Sequence, residues 1–209
     1  MSDHNPWQEP VIHFYERHKH SILFAIVLFF SGIGLWEYQK EQTKAKRAQL
    51  TALQTQWIAQ NQAKDPGSEK TLEAMMALDK SALITQLVMA SSAKNELAKD
   101  PQKAVSIYQD LLNVCQQPFC DLYRLRLSVI YINLKAPNEA IHMLNLITQP
   151  SFINFRELYL GDAHQTLDQK EQAIAHWKKA YSKIPTPVIN PVDKGIKDQL
   201  TYRLQKELS

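Results

Sequence analysis

Residues 156–180 read RELYLGDAHQTLDQKEQAIAHWKKA, and this stretch decides the fold. It places Gly161 twelve residues before Ala173, with Ile174 and Trp177 one and four residues after that alanine. The same pattern stands without gaps at two earlier places: Ser92, Ala104, Val105 and Tyr108, then Ser128, Ala140, Ile141 and Leu144. The three alanines lie 36 and 33 residues apart. Small side chains let the two helices of a hairpin approach closely, and a bulky residue fills the space beside them. A recurring small–small–bulky pattern is therefore what stacked helical hairpins require. Any helical bundle sets alanine at some helix contacts, but a threefold match at four aligned positions favours repeats.

The spacing is close to the unit of about 34 residues in tetratricopeptide repeats, whose pattern also wants Ala and Pro where Ala180 and Pro185 stand. Turns punctuate the units. Asp100-Pro101 and Ala136-Pro137-Asn138 put a proline at or near the first turn of the following helix, where its missing N–H costs nothing, and Asp168-Gln169 serves the third unit. The predicted helix pairs are 82–99/101–115, 119–135/138–148 and 151–167/169–183. A last helix over 191–207 carries Ile196, Leu200, Leu204 and Leu208 in a single stripe, as suits a capping helix with a polar outer face. With 5 Gly, 10 Pro and no sustained apolar/polar alternation, the chain reads as all-α.

Upstream, Ser21 to Trp36 runs SILFAIVLFFSGIGLW without a charge. Its Leu, Ile, Val and Phe residues favour a bilayer by roughly 0.3 to 0.6 kcal/mol each. Sixteen residues span about 24 Å against a hydrocarbon core of about 30 Å. Snorkelling by Lys19 and interfacial Trp36 and Tyr38 close that gap. A retained anchor is favoured over a buried core helix, which would have a polar face, and over a cleaved signal, whose polar leader would be shorter. Arg17 and Lys19 precede the span and Lys40, Lys44, Lys46 and Arg47 follow it, so local charge does not decide orientation. The expected organisation is a short N-terminal segment (1–20), a transmembrane helix (21–38), polar linker helices (39–80) and a tetratricopeptide-like domain (81–209). In the linker, Leu50, Leu53, Trp57 and Ile58 share one side of a helix that Asp65-Pro66-Gly67-Ser68 breaks.

A net charge of +3 is too nearly neutral for the dense positive stripe of a nucleic-acid binder. No phosphate-cradling glycine loop, His-Glu-x-x-His pair or nucleophile elbow occurs, so neither catalysis, a cofactor nor a metal site is expected. His13, His18 and His20 precede the span, where histidines are usually interfacial. Asp162 and His164 are two residues apart on one helix and cannot face each other. Cys115 and Cys120 bracket Gln-Gln-Pro-Phe between the first and second helix pairs. Two reduced thiols and a disulfide both remain open; an oxidising compartment favours the bridge. In a tetratricopeptide stack the first helix of each pair lines the concave face. On that geometry the groove-facing residues are Met89, Leu125, Val129, Ile132, Phe155 and Leu158. The helix over 122–134 is apolar nearly all round, so the groove is either covered by residues 42–80 or the last helix, or open to a client.

With Gly-Ile-Gly-Leu-Trp-Glu-Tyr at 32–38, Arg156-Glu-Leu-Tyr-Leu-Gly-Asp-Ala163, Asp168-Gln-Lys-Glu-Gln-Ala-Ile-Ala175 and Trp177, the chain resembles a known family over nearly its whole length. These are the inner-membrane ancillary subunits of the bacterial SecYEG translocon, tetratricopeptide-like periplasmic chaperones. The resemblance implies a single-pass protein of the bacterial inner membrane, N-terminus cytoplasmic and C-terminal domain periplasmic. It also implies association with SecYEG and a periplasmic chaperone, and exported proteins as clients. The histidine-rich N-terminus and the cysteine pair depart from the family pattern. Two functional classes stand at this point: a translocon-linked chaperone, and a scaffold or assembly factor of another envelope or secretion complex. A weaker third is a regulator that holds a cytoplasmic signalling protein through residues 1–20.

Overall fold

Helices end close to the anticipated breaks in a computed structural model, which describes residues 8–188 and 190–208, with side chains at 23–24, 28–188 and 190–207. The described elements are all helical: α1 (Gln8–Gln62), α2 (Gly67–Asp79), α3 (Leu83–Glu96), α4 (Pro101–Leu112), α5 (Phe119–Asn133), α6 (Pro137–Asn145), a 3-10 turn (Pro150–Phe152), α7 (Ile153–Thr166), α8 (Lys170–Ser182) and α9 (Pro191–Leu208). The chain divides into two units, residues 1–53 and 54–209.

In the first unit, Leu23, Phe24, Leu28, Phe29, Phe30, Leu35 and Trp36 are all exposed. Among the described residues no helix is long and apolar enough to cross a membrane. Ala25, Ile26 and Val27, inside the anticipated span, lie outside the described side chains, as do His13, His18 and His20. Beyond Trp36 the helix turns polar and carries Glu37–Lys40 and Glu41–Lys44 pairs one turn apart, spacing that supports a solvated helix.

The second unit is the stack of hairpins. Ala104, Ala140 and Ala173 are fully buried, and Tyr108, Leu144 and Trp177 are buried beside them. Gly161 shows why the small residue is needed. A Cβ there would fall within the van der Waals radius of the Trp177 indole, and the indole N–H donates to the Leu158 carbonyl (3.2 Å) and the Asp162 carboxylate (3.1 Å). Ser128 is fully buried too, its hydroxyl donating to the Leu125 carbonyl at 2.7 Å.

The turns explain where the repeats diverge. Lys135 and Asp168 both sit at φ 58°, in the left-handed region. After each, the next N–H reaches back to the preceding helix: Ala136 to the Tyr131 carbonyl (2.9 Å) and Gln169 to the His164 carbonyl (3.0 Å). This closes α5 and α7 with the same Schellman-type turn. The first hairpin differs. Asp100 caps α4 instead, accepting from the N–H groups of Gln102 and Lys103 at 3.1 Å each. Its first helix stops eight residues before the aligned alanine, not seven. Ser92, expected as the sealed contact of that hairpin, is therefore displaced by one residue: Ala93 is fully buried and Ser92 only half-buried.

At the far end α9 closes the stack. Ile196 and Leu200 join Leu158, Ala173, Trp177, Ala180 and Ile184 in one apolar cluster, with Leu204 against it. Leu208 lies outside the described side chains.

Candidate protein-binding groove

An open groove of about 570 Å³ is lined by residues from the first helices of the three hairpins and by Pro101 and Tyr108 of α4. Lys94 and Leu97 line it at the end of α3, Arg126, Val129, Asn133 and Leu134 along and just beyond α5, and Tyr159 on α7, with Tyr108, Leu125 and Ile130 beneath. Arg126, Val129 and Asn133 recur at helical spacing and so share one face of α5. Nothing from residues 54–80 or from α9 lines the groove.

Of the six residues expected to face it, the structure brings Leu125 and Val129 into the lining. Ile132 and Phe155 are half-buried outside it, Phe155 packing against the apolar clusters of the second and third hairpins. Met89 and Leu158 are 1% exposed and sealed in the core, which corrects the expectation that they face the groove. The reason is one of register. Met89, Leu125 and Leu158 all stand fifteen residues before their aligned alanine, and all three are buried. One residue further on, about 100° round the helix, stand Arg126 and Tyr159, which line the groove. The repeat alignment held that signal, because a position that is apolar in every unit is a core position.

Two buried carboxylates set the neighbouring helices. Asp121, fully buried at the start of α5, accepts from Arg124 (2.6 Å), Gln117 (3.1 Å) and the N–H groups of Thr148 (3.0 Å) and Gln149 (2.9 Å). Burial pushes its pKa up, but the Gln149 N–H and the other donors outweigh burial and hold it below the ordinary carboxylate range. Glu157 on α7 is also fully buried, held by Arg156 (2.7 Å), His176 (2.8 Å) and Lys179 (3.0 Å). Burial again opposes ionisation, and the hydrogen bonds from Arg156, His176 and Lys179 overcome it, bringing the pKa to about 2. His164 stacks on His176, centroids 5.1 Å apart. Asp162 takes Arg203 of α9 in a two-pronged pair at 2.6 and 2.8 Å. These groups clamp loops and helices, and each is engaged with its neighbours. Cys115 and Cys120 are joined by a disulfide, Cα–Cα 5.3 Å, across the α4–α5 turn.

A helix stack, close small–bulky contacts and a lined groove agree with a model of the tetratricopeptide repeat-like domain that matches residues 13–197. The chain belongs to the tetratricopeptide repeat-like domain family. Domains of this family are in general protein-interaction modules and not catalysts, and protein partners follow from membership. No curated protein and no solved structure matches the chain. Among the described residues no group of three or more His, Cys, Asp or Glu is placed to hold a metal.

Proposed function

We propose that this tetratricopeptide-like protein is a membrane-anchored, chaperone-like ancillary subunit of the SecYEG translocon, holding newly exported polypeptides in its groove. The observation that carries the binding role is the groove itself, an apolar wall of Leu97, Leu125, Val129 and Leu134 left open by the rest of residues 54–209. A water-facing surface of this kind favours a partner that covers it. The anchor is supported by the uncharged run 21–36, whose described large apolar side chains are all exposed. A periplasmic location is supported by the Cys115–Cys120 bridge, since disulfides persist in oxidising compartments. An anchor beside the channel would raise the effective concentration of the groove where unfolded segments emerge.

The alternative, a scaffold for a single folded partner, shares the groove and differs in what enters it. Photo-crosslinkers placed at Val129 and Leu97 in cells separate the two. Adducts with many exported polypeptides, lost when export is blocked, are the expected result. One stoichiometric adduct insensitive to export would replace the chaperone reading with the scaffold.

A further inference from the structure

Within residues 54–209, three of the four arginines hold carboxylates: Arg124 on Asp121, Arg156 on Glu157 and Arg203 on Asp162. Arg126 is the fourth, and among the described residues no carboxylate lies within 4.0 Å of it. It lines the groove, as does Lys94, which likewise has no ion-pair partner there. The other polar side chains of the lining, the Asn133 amide and the Tyr108 and Tyr159 hydroxyls, can donate hydrogen bonds, and no Asp or Glu contributes to it. Burial raises the Tyr159 phenol above its ordinary value, with nearby Asp162 adding to the effect, so it remains a donor at neutral pH.

We propose that the groove selects an apolar segment that carries a carboxylate, seated so that its acidic group meets Arg126 and Lys94 while its apolar side chains lie on Leu97, Val129 and Leu134. This rests on the groove reading above and names the chemistry of what enters. Arg126 and Lys94 are both exposed at the rim of the apolar wall, and a carboxylate there gives the guanidinium the charge-assisted pair that its sister arginines already have. A lysine-rich segment meets like charge and finds no carboxylate. The cleft beside Trp57 makes a control within the same unit. Its lining mixes Asp65, Glu69 and Glu96 with Lys64 and Lys99, and Lys103 sits 2.6 Å from Glu69, so it offers no single sign. The groove volume of about 570 Å³ lies within the range of clefts that enclose a small ligand or a few side chains.

The full-length chain is titrated into two fluorescent decapeptides with the same Leu/Val/Phe core, one ending in two glutamates and one in two lysines, and anisotropy is read at low and moderate salt. The glutamate peptide should bind about five- to tenfold more tightly at low salt, and the gap should shrink as salt rises. Arg126→Gln should narrow the difference and Arg126→Glu should reverse it. Val129→Asp should weaken both peptides, locating them in the groove. Equal affinities, or a preference untouched by Arg126→Glu in a chain of unchanged helicity, would overturn the carboxylate preference and leave the peptide-binding reading standing. No binding of either peptide would overturn both.

Discussion

Helices α5 and α7 hold equivalent places in successive hairpins and end in the same left-handed turn, yet they present opposite surfaces. On α7 the carboxylates are consumed internally: Glu157 holds Arg156, His176 and Lys179, while Asp162 holds the Trp177 indole and Arg203 of α9. On α5 the division falls between two arginines only two positions apart. Arg124 is tied to Asp121 and to the Leu146 carbonyl, whereas Arg126 faces the groove without a carboxylate. The contrast teaches that one repeat scaffold can be locked at one unit and left receptive at the next. What decides is which register position carries charge and whether a following helix supplies its partner.

The largest expected effect comes from breaking the locked side. Trp177→Ala removes the indole that Gly161 is shaped to receive, and should lower the unfolding free energy by about 3–5 kcal/mol, the cost of emptying a buried aromatic site. Val129→Ala on the receptive side, half-buried and open to the groove, should cost about 1 kcal/mol or less. Urea denaturation of both variants tests the asymmetry directly. Similar losses would mean that the groove wall is as integral to the core as the α7–α8 contact.

A second test titrates the lock. Glu157 has an ordinary pKa of 4.5 and a folded value of about 2. Its pKa is depressed on folding, so its contribution is complete above pH 4.5 and is lost as pH falls from 4.5 toward 2. Glu157→Gln should cost about 2–3 kcal/mol at pH 7, because it strips a buried charge from three donors. The gap between wild type and variant should close by pH 2 in acid-unfolding curves. A gap that persists there would show that packing and not ionisation supplies the difference.

The hairpin contacts beneath this contrast are legible in the sequence, the contrast itself is not, and the difference has a physical cause. The aligned alanines and the bulky residues four positions later locate the hairpin contacts, because close packing tolerates few residue types at such sites. The family and the all-α repeat fold follow from that constraint. The groove was legible only in part. Leu125 and Val129 line it, but Met89 and Leu158 are core, since an apolar residue repeated in every unit marks the inside and a position that varies, as Arg126 and Tyr159 do, marks the surface. Ser92 lost its expected place to Ala93 because the first hairpin turns with a capping aspartate and one extra residue, a difference that a gapless alignment absorbs silently. The partners of Asp121 at Thr148 and Gln149 lie nearly thirty residues away and have no local signature.

The smallest expected effect sharpens what α5 and α7 share. Lys135 and Asp168 each adopt φ 58°, a conformation that costs an L-residue with a Cβ roughly 1–2 kcal/mol relative to the right-handed region. Glycine is free of that cost but loses more entropy from the unfolded chain, so Lys135→Gly and Asp168→Gly should each stabilise the domain by about 0.5–1 kcal/mol. Lys135 and Asp168 are both exposed and neither is in an ion pair among the described residues. The gain should therefore come from the backbone alone and be nearly equal at the two sites, and the double variant should be additive. If thermal or urea unfolding shows a gain at Lys135 and none at Asp168, the two turns are not energetically equivalent despite their matching geometry. The tighter closure of α7 would then begin at its own C-terminus, before α8 and α9 contribute.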